Sequence, residues 1–172
     1  MEALKTVTIS KRAELAAKGG HPWIYGSEIK GKDEGIEPGE IVRVLSGKGK
    51  FIGSGFYNEH SKITVRIIST NANDRFDDAF WKRRVSYALD YRLQVMRPED
   101  YDNMRIIFGE ADQLPGLTVD RFGDVLSVQV LSLGIEKNKD IILNSLIEVL
   151  RQHGLPVSCV YEEGYPYDME SS

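Results

Sequence analysis

The strongest constraint on the fold is the alternation of apolar and polar residues between Ile36 and Ser69. An alternation with a period of two is typical of strands that bury one face. Within this run, Ser46–Gly49 predicts a hairpin tip, and Gly53 and Gly55 predict a bulge or a close backbone approach in the returning strand. The pattern predicts a small β-barrel.

A short helix is expected near the start of this barrel. Ser10 suits a helix N-cap, Lys11–Lys18 contains good helix formers, and Gly19–Gly20 provides a stop. The segment His21–Tyr25 must then leave the helix, because its first residue precedes a proline. This part of the chain therefore predicts a helix followed by an extended segment.

The second half of the chain shows a different pattern. Polar residues 70–74 predict a linker, and residues 76–96 are strongly helical. Three strands follow, then an amphipathic helix over Gly134–Gly154 with Ile141 on its apolar face, then a last strand that contains Cys159. The order helix–β–β–β–α–β predicts a mixed α+β unit.

The charge is unevenly distributed along the 172 residues, whose net charge is −4. Residues 1–74 contain 11 Lys and Arg against 9 Asp and Glu, whereas residues 75–172 contain 11 against 17. A polyanionic partner is therefore expected on the N-terminal half. The sequence pI near 5.5 argues against a protein that coats nucleic acid unaided.

Three further features indicate a cytoplasmic protein without membrane contact. No window approaches about 18 consecutive apolar residues, and the first ten residues lack an apolar signal region. The single cysteine, Cys159, cannot form an internal disulfide. Because it lies in an apolar strand, we expect it to be an inert buried thiol.

Four carboxylates lie close together in the sequence, at Glu110, Asp112, Asp120 and Asp124. Their spacing lacks the alternation of an EF-hand loop, so we interpret them as turn residues, with Asp120 paired to Arg121. The histidines also lack the spacing of a zinc site. The sequence therefore predicts no catalytic and no metal-binding residues; an enzyme that uses this loop is the weakest alternative.

Basic and aromatic residues are interleaved near the predicted helix. Positive charge beside rings that can stack, with glycines that allow close backbone approach, suits RNA. The competing interpretation is that both aromatic rings plug one end of the barrel, and composition alone favours it. The candidate RNA-binding residues are Lys11, Arg12, Lys18, His21, Trp23 and Tyr25.

Three segments resemble one bacterial enzyme family. They are Gly20–Tyr25, Gly55–Arg66 and, most specifically, the sixteen residues Gly109–Asp124. In these segments the chain is similar to the large-subunit ribosomal RNA cytosine-5 methyltransferases. The resemblance extends from residue 7 to about residue 161.

The resemblance implies a division of the chain into three parts. Residues 1–70 would be a PUA-like RNA-binding domain, residues 71–98 a linker and connecting helix, and residues 99–172 an α+β domain of order β–β–α–β–β. In that family a Rossmann-like domain follows, which binds S-adenosylmethionine and carries the cysteine that attacks the target cytosine. This chain ends before such a domain, so no cofactor is expected in it.

The resemblance therefore implies a function in which this chain recruits 23S ribosomal RNA and is not itself catalytic. The alternative is a stand-alone RNA-binding or protein-interaction module derived from that family, with the acidic second half contacting a protein. The short barrel strands also offer an edge at which two copies could pair as a homodimer.

Overall fold

The computed structural model describes residues 3–163, which divide into two compact units between Asp74 and Arg75. Each unit has its own sheet. Within the described residues, no helix combines the length and the apolar character needed to cross a membrane. The last nine residues of the predicted α+β domain, 164–172, lie outside the described part of the chain.

The first unit is a curled six-stranded sheet with one helix. The strands are β1 (Thr6–Ile9), β2 (Trp23–Tyr25), β3 (Ile29–Lys32), β4 (Ile41–Leu45), β5 (Phe51–Tyr57) and β6 (Ile63–Ser69), and helix α1 spans Lys11–Lys18. Their order in the sheet is β2-β6-β5-β4-β1-β3. All neighbours pair antiparallel except β1 and β4, which are parallel.

One face of this sheet forms the core of the first unit. The buried side chains are mostly β-branched and alternate along the strands, as the period-two pattern predicts. They include Val7, Ile9, Ile24, Val42, Val44 and Val65, together with Ala13 from α1. The strand β3 and the short 3₁₀ turn that precedes it are not evident from the sequence pattern, because Ile29–Lys32 contains two lysines and a glycine.

The two glycines of β5 have the close approach that the sequence predicts. A Cβ at Gly53 would lie 2.9 Å from the Cγ2 atom of Ile67, and one at Gly55 would overlap the backbone of Arg66. The β5–β6 register shifts between Ser54 and Gly55. The backbones of β5 and β6 therefore meet at a distance that only glycine permits.

The second unit contains two helices and a four-stranded sheet. Its elements are α2 (Asp78–Val95), β7 (Asn103–Phe108), β8 (Leu117–Phe122), β9 (Val125–Val130), α3 (Leu133–Gln152) and β10 (Cys159–Glu162). The sheet order is β10-β9-β8-β7, and only β10 and β9 are parallel. The molecule is thus of the α+β class, which confirms the predicted fold class.

The order of elements in this unit matches the sequence pattern. Three strands precede α3 and one follows it in the described residues, whereas the order implied by the resemblance places two strands on each side of the helix. Gly116 has φ of +92°, a conformation that favours glycine, in the turn that leads into β8.

Two details of the second unit differ from the expectation. Cys159 is exposed, because β10 is an edge strand whose four residues all lie in solvent, so the prediction of a buried thiol is wrong. Ile141 is 39% exposed, and its neighbour Ile142 is fully buried instead. A shift of one residue turns a helical side chain by about 100°, which is enough to exchange the two positions.

Candidate nucleic-acid interface

The predicted basic residues of the first unit lie on α1. Ser10 caps this helix, and its Oγ accepts a hydrogen bond from the backbone N–H of Ala13 at 3.2 Å, which confirms the predicted start. Lys11, Arg12 and Lys18 are all exposed. The helix therefore presents three cations to solvent within two turns.

Two of these cations share one carboxylate. The Nζ atoms of Lys11 and Lys18 lie 3.6 Å and 2.8 Å from the carboxylate of Glu14, which is itself mostly buried. The hydrogen bond from Lys18 holds the pKa of Glu14 below its ordinary value, and the charge of Lys11 adds to the effect. An RNA phosphate would have to compete with Glu14 for both lysines, whereas Arg12 forms no ion pair within residues 3–163.

The helix ends at the glycine pair, as predicted. Gly20 has φ of +96°, a conformation that costs little only for glycine. The N–H groups of Gly20 and His21 donate to the carbonyls of Ala17 and Ala16, both at 3.0 Å. This turn reverses the chain and sends it directly into β2.

The aromatic residues after the turn lie outside the core. Ile24 is fully buried, whereas Trp23 is half-buried and Tyr25 is exposed. Because successive strand residues point to opposite faces, the two rings share the face opposite Ile24. The interpretation in which both rings close one end of the barrel is therefore wrong. Ile24 is the residue of this strand that packs in the core.

His21 extends this aromatic face. Its ring centroid lies 5.8 Å from that of Trp23 in an edge-on arrangement and 6.4 Å from that of Tyr25 in a stacked one. The structure thus brings three of the six predicted residues together. The other three, on α1, are joined to them by the Gly19–Gly20 turn.

Arg66 completes the group, and sequence reasoning missed it. Its guanidinium carbon lies 5.6 Å from the centroid of the Trp23 ring, because Trp23 and Arg66 are directly opposite in the β2–β6 pairing. The alternation along β6 places Arg66 on the opposite face from Val65, but the pairing of β6 with β2 is not written in the local sequence. We call His21, Trp23, Tyr25 and Arg66 the ring surface.

The ring surface combines flat apolar faces with a delocalised cation. Such a combination can stack an unpaired base on an aromatic ring while a guanidinium contacts the neighbouring phosphate. The cations of α1 lie a few residues away along the chain and can contact further phosphates. The chemistry available here is recognition of a polyanion with exposed bases.

The carboxylate-rich loop of the second unit has a structural explanation. The carboxylate of Asp112 accepts hydrogen bonds from the Phe108 N–H at 2.7 Å and from Arg92 at 3.2 Å. Asp120 pairs with Arg105 through two bonds of 2.8 Å and 3.1 Å. No group of three potential metal ligands occurs within the described range.

The expected pairing of Asp120 with Arg121 is wrong. Adjacent residues of a strand point to opposite faces, so the two side chains diverge. Arg121 is buried and donates to the carbonyl of Pro156 at 3.0 Å, while Asp120 meets Arg105 across the β7–β8 ladder.

Comparison with known proteins defines first the class of the N-terminal unit. Residues 7–70 match the family model described as a PUA-like domain. The matched segment begins within β1 and ends directly after β6, so it contains the curled sheet, α1 and the ring surface. This part of the chain belongs to the PUA-like domain family.

Most of the chain also has relatives of similar sequence. It is 30% identical over 156 residues to ribosomal RNA large subunit methyltransferase I of Klebsiella pneumoniae. This alignment covers 91% of this chain and 38% of that relative. It is 36% identical over 126 residues to a ribosomal RNA large subunit methyltransferase of Deinococcus radiodurans. This alignment covers 71% of this chain and 31% of that relative. The chain is thus a homologue of the ribosomal RNA large subunit methyltransferases and spans less than half of their length, which confirms the resemblance.

A solved structure shares the fold. A Streptococcus mutans protein described as a SAM-dependent methyltransferase superimposes with a TM-score of 0.71 at 15% identity, covering 94% of this chain and 44% of that protein. At this identity the match concerns the fold alone.

Proposed function

We propose that this chain binds ribosomal RNA and presents it for S-adenosylmethionine-dependent methylation of cytosine C5 in 23S ribosomal RNA. The observation that carries the proposal is the ring surface, where Arg66 lies over Trp23 beside two further exposed rings. The names of the relatives, which are ribosomal RNA methyltransferases, support the choice of RNA. We also propose a cytoplasmic location, which the ribosomal RNA in the names of the relatives supports.

Each group of residues has a separate task in this proposal. Arg66 lies over the Trp23 ring, and we assign one stacked base to this pair. Tyr25 offers a second, exposed ring. Lys11, Arg12 and Lys18 contact phosphates, which fix the position of the RNA without reading its sequence.

We also propose that the methyl transfer itself requires residues beyond this chain. S-adenosylmethionine sites of the Rossmann type need a glycine-rich loop between a strand and a helix. In the described residues, the segments between a strand and the α-helix that follows it are residue 10, residues 70–77 and residues 131–132, and none of them contains glycine. The described residues therefore do not fit that cofactor.

A salt titration of RNA binding tests the proposal. For single-stranded RNA the logarithm of the affinity falls with the logarithm of salt concentration by about 0.7 per phosphate contacted. Replacing Lys11, Arg12 and Lys18 together by methionine should reduce this slope by about 2. The matched control is the double replacement of Lys48 and Lys50, two exposed lysines at the tip of the β4–β5 hairpin. An affinity that does not depend on salt would refute the phosphate contacts.

A second candidate function is protein docking by the acidic second unit. One observation favours it, namely a row of exposed apolar residues along α2: Tyr87 is 68% exposed, Tyr91 54% and Val95 58%. The homodimer predicted from the barrel edge stays a prediction. Light scattering during gel filtration distinguishes a dimer formed through α2 from one formed through the barrel edge. A dimer through α2 should dissociate in a Tyr87→Ser, Tyr91→Ser variant, whereas a dimer through the edge strands should not.

A further inference from the structure

A cleft in the first unit is not used by the proposed stacking site. It lies where β3, at one edge of the curled sheet, faces the ends of β5 and β6. Its volume is about 360 Å³, which is within the range of sites for small ligands. The residues that line it are Gly26, Ile29, Lys30, Gly31, Lys32, Tyr57, Glu59 and Thr64.

Three polar side chains converge in this cleft. The Nζ atom of Lys32 donates to the Tyr57 hydroxyl at 2.9 Å and lies 3.8 Å from the carboxylate of Glu59. The bond to Tyr57 raises the pKa of Lys32, so the ammonium is charged at neutral pH. Lys32 and Glu59 are each about half exposed, so both can turn towards a ligand.

The shape of the cleft depends on residues without side chains. At Gly31 an added Cβ would meet no atom within 4 Å, so the strand leaves open space there. At Gly26 an added Cβ would lie 3.0 Å from the hydroxyl oxygen of Thr64. The cleft is therefore lined by backbone alone at Gly26 and Gly31, and a flat ring can approach the chain closely at Gly31.

The cleft and the ring surface are adjacent along the chain. Gly26 lines the cleft and directly follows Tyr25 in the sequence. The backbone N–H of Tyr25 donates a hydrogen bond to the carboxylate of Glu28 at 3.0 Å. The N–H of Gly26 donates to the carbonyl of Lys62 at 3.2 Å, which fixes the turn beside the β5–β6 loop. An RNA strand that stacks on Tyr25 would thus lead its next nucleotide to the cleft.

We propose that this cleft receives one unpaired base of the bound RNA, and that it selects guanine. The inference rests on the proposed RNA-binding function and adds base selection to it. A flipped base is generally read by hydrogen bonds to its Watson–Crick edge. The charged pair of Lys32 and Glu59 offers one strong donor and one strong acceptor side by side.

Guanine matches this pair better than the other bases do. Its O6 atom accepts from Lys32, while its N1–H and its exocyclic amino group both donate to the carboxylate of Glu59. Adenine and cytosine each bring one amino group but no ring N–H beside it, and uracil has no amino group. Only guanine therefore gives a carboxylate two parallel hydrogen bonds.

Competition between short uridine-rich RNAs tests the selection. The probes carry guanosine, inosine, adenosine or uridine at one central position, and fluorescence anisotropy gives the affinity of the full chain for each. We expect guanosine to bind about five- to tenfold more tightly than adenosine, as one well-placed polar pair provides. Inosine, which lacks the amino group, should fall between them.

Two variants assign the preference to the cleft. Glu59→Gln should abolish the difference between guanosine and inosine, and Lys32→Met should reduce the preference for guanosine over adenosine. The matched controls are Glu34→Gln and Lys48→Met, which remove the same charges from exposed positions elsewhere in the unit. Both controls should keep the full preference.

The outcomes separate this inference from the proposed function. Equal affinity for all four probes, with salt-dependent binding intact, overturns the base selection and leaves RNA binding standing. A guanosine preference that survives both cleft variants overturns the assignment to Lys32 and Glu59. If no probe binds the wild-type chain, both the proposed function and this inference are wrong.

Discussion

Replacing Trp23 by alanine separates stacking from electrostatic attraction. In the structure, the guanidinium carbon of Arg66 lies 5.6 Å from the centroid of the indole, and the ring centroids of His21 and Trp23 lie 5.8 Å apart. One base–aromatic stack contributes about 1–3 kcal/mol. Trp23→Ala should therefore weaken RNA binding by roughly 5- to 150-fold, since about 1.4 kcal/mol corresponds to a factor of ten. The variant removes no charge, so the salt slope should stay unchanged.

Anisotropy titrations at several salt concentrations measure both quantities. Trp23 is half-buried, so its loss also removes packing, and a thermal melt must show that the variant is folded. Trp23→Phe is the matched control, because it keeps a ring on the same face and should lose only part of the affinity. An unchanged affinity in folded Trp23→Ala would refute the ring surface as the RNA contact, and a reduced salt slope would show that Trp23 acts by positioning cations.

Three further predictions follow from individual contacts. Glu14→Gln should tighten RNA binding and steepen its salt dependence, because it releases the two lysines of α1. In the wild-type chain, the ionised Glu14 carboxylate should stabilise the fold above its ordinary pKa of 4.5, and this contribution should be lost as the pH falls through its lowered pKa in the folded state. Thermal melts at descending pH measure this loss. Gly55→Ala should destabilise the first unit by about 1–3 kcal/mol, because its Cβ overlaps the β6 backbone, whereas Gly47→Ala, in open space, should change the melting temperature little. Lys139→Met should cost about 1 kcal/mol and speed hydrogen exchange in β10, because the ammonium joins α3 to Glu162 of that strand. This ion pair raises the pKa of Lys139, so the contribution is constant through neutral pH and is lost as the pH rises through the raised pKa.

Local signals in the sequence predicted most of the elements. The N-cap at Ser10, the stop at Gly20 and the close approach at Gly55 all depend on interactions between residues near in sequence or on a missing Cβ. Such features follow from backbone sterics and hydrogen bonding, so one residue type at one position is sufficient to indicate them. The period-two pattern between Ile36 and Ser69 likewise agrees with the alternate burial of Val42 and Val44 along β4.

The candidate site was less accessible, because it depends on pairing between distant segments. The contact of Arg66 with Trp23 exists only because β6 pairs with β2 in one register, and a shift by one residue would move Arg66 to the other face. The sharing of Glu14 by Lys11 and Lys18, by contrast, follows from helical spacing and could have been predicted. The exposure of Cys159 depends on β10 lying at an edge of the sheet, which the strand's own sequence does not show.

The position of the ring surface on an edge strand explains how one short segment serves both folding and recognition. Within residues 3–163, β2 pairs on one side only, with β6, and its core residue Ile24 anchors it to the sheet. Its alternate residues, Trp23 and Tyr25, lie on the face opposite the core, where Tyr25 is exposed and Trp23 is half-buried. In a central strand the same residues would have strands on both sides and less space for a base. An exposed edge would ordinarily invite pairing with another chain. At β2 the strand is only three residues long, which limits such pairing while leaving the rings accessible to RNA.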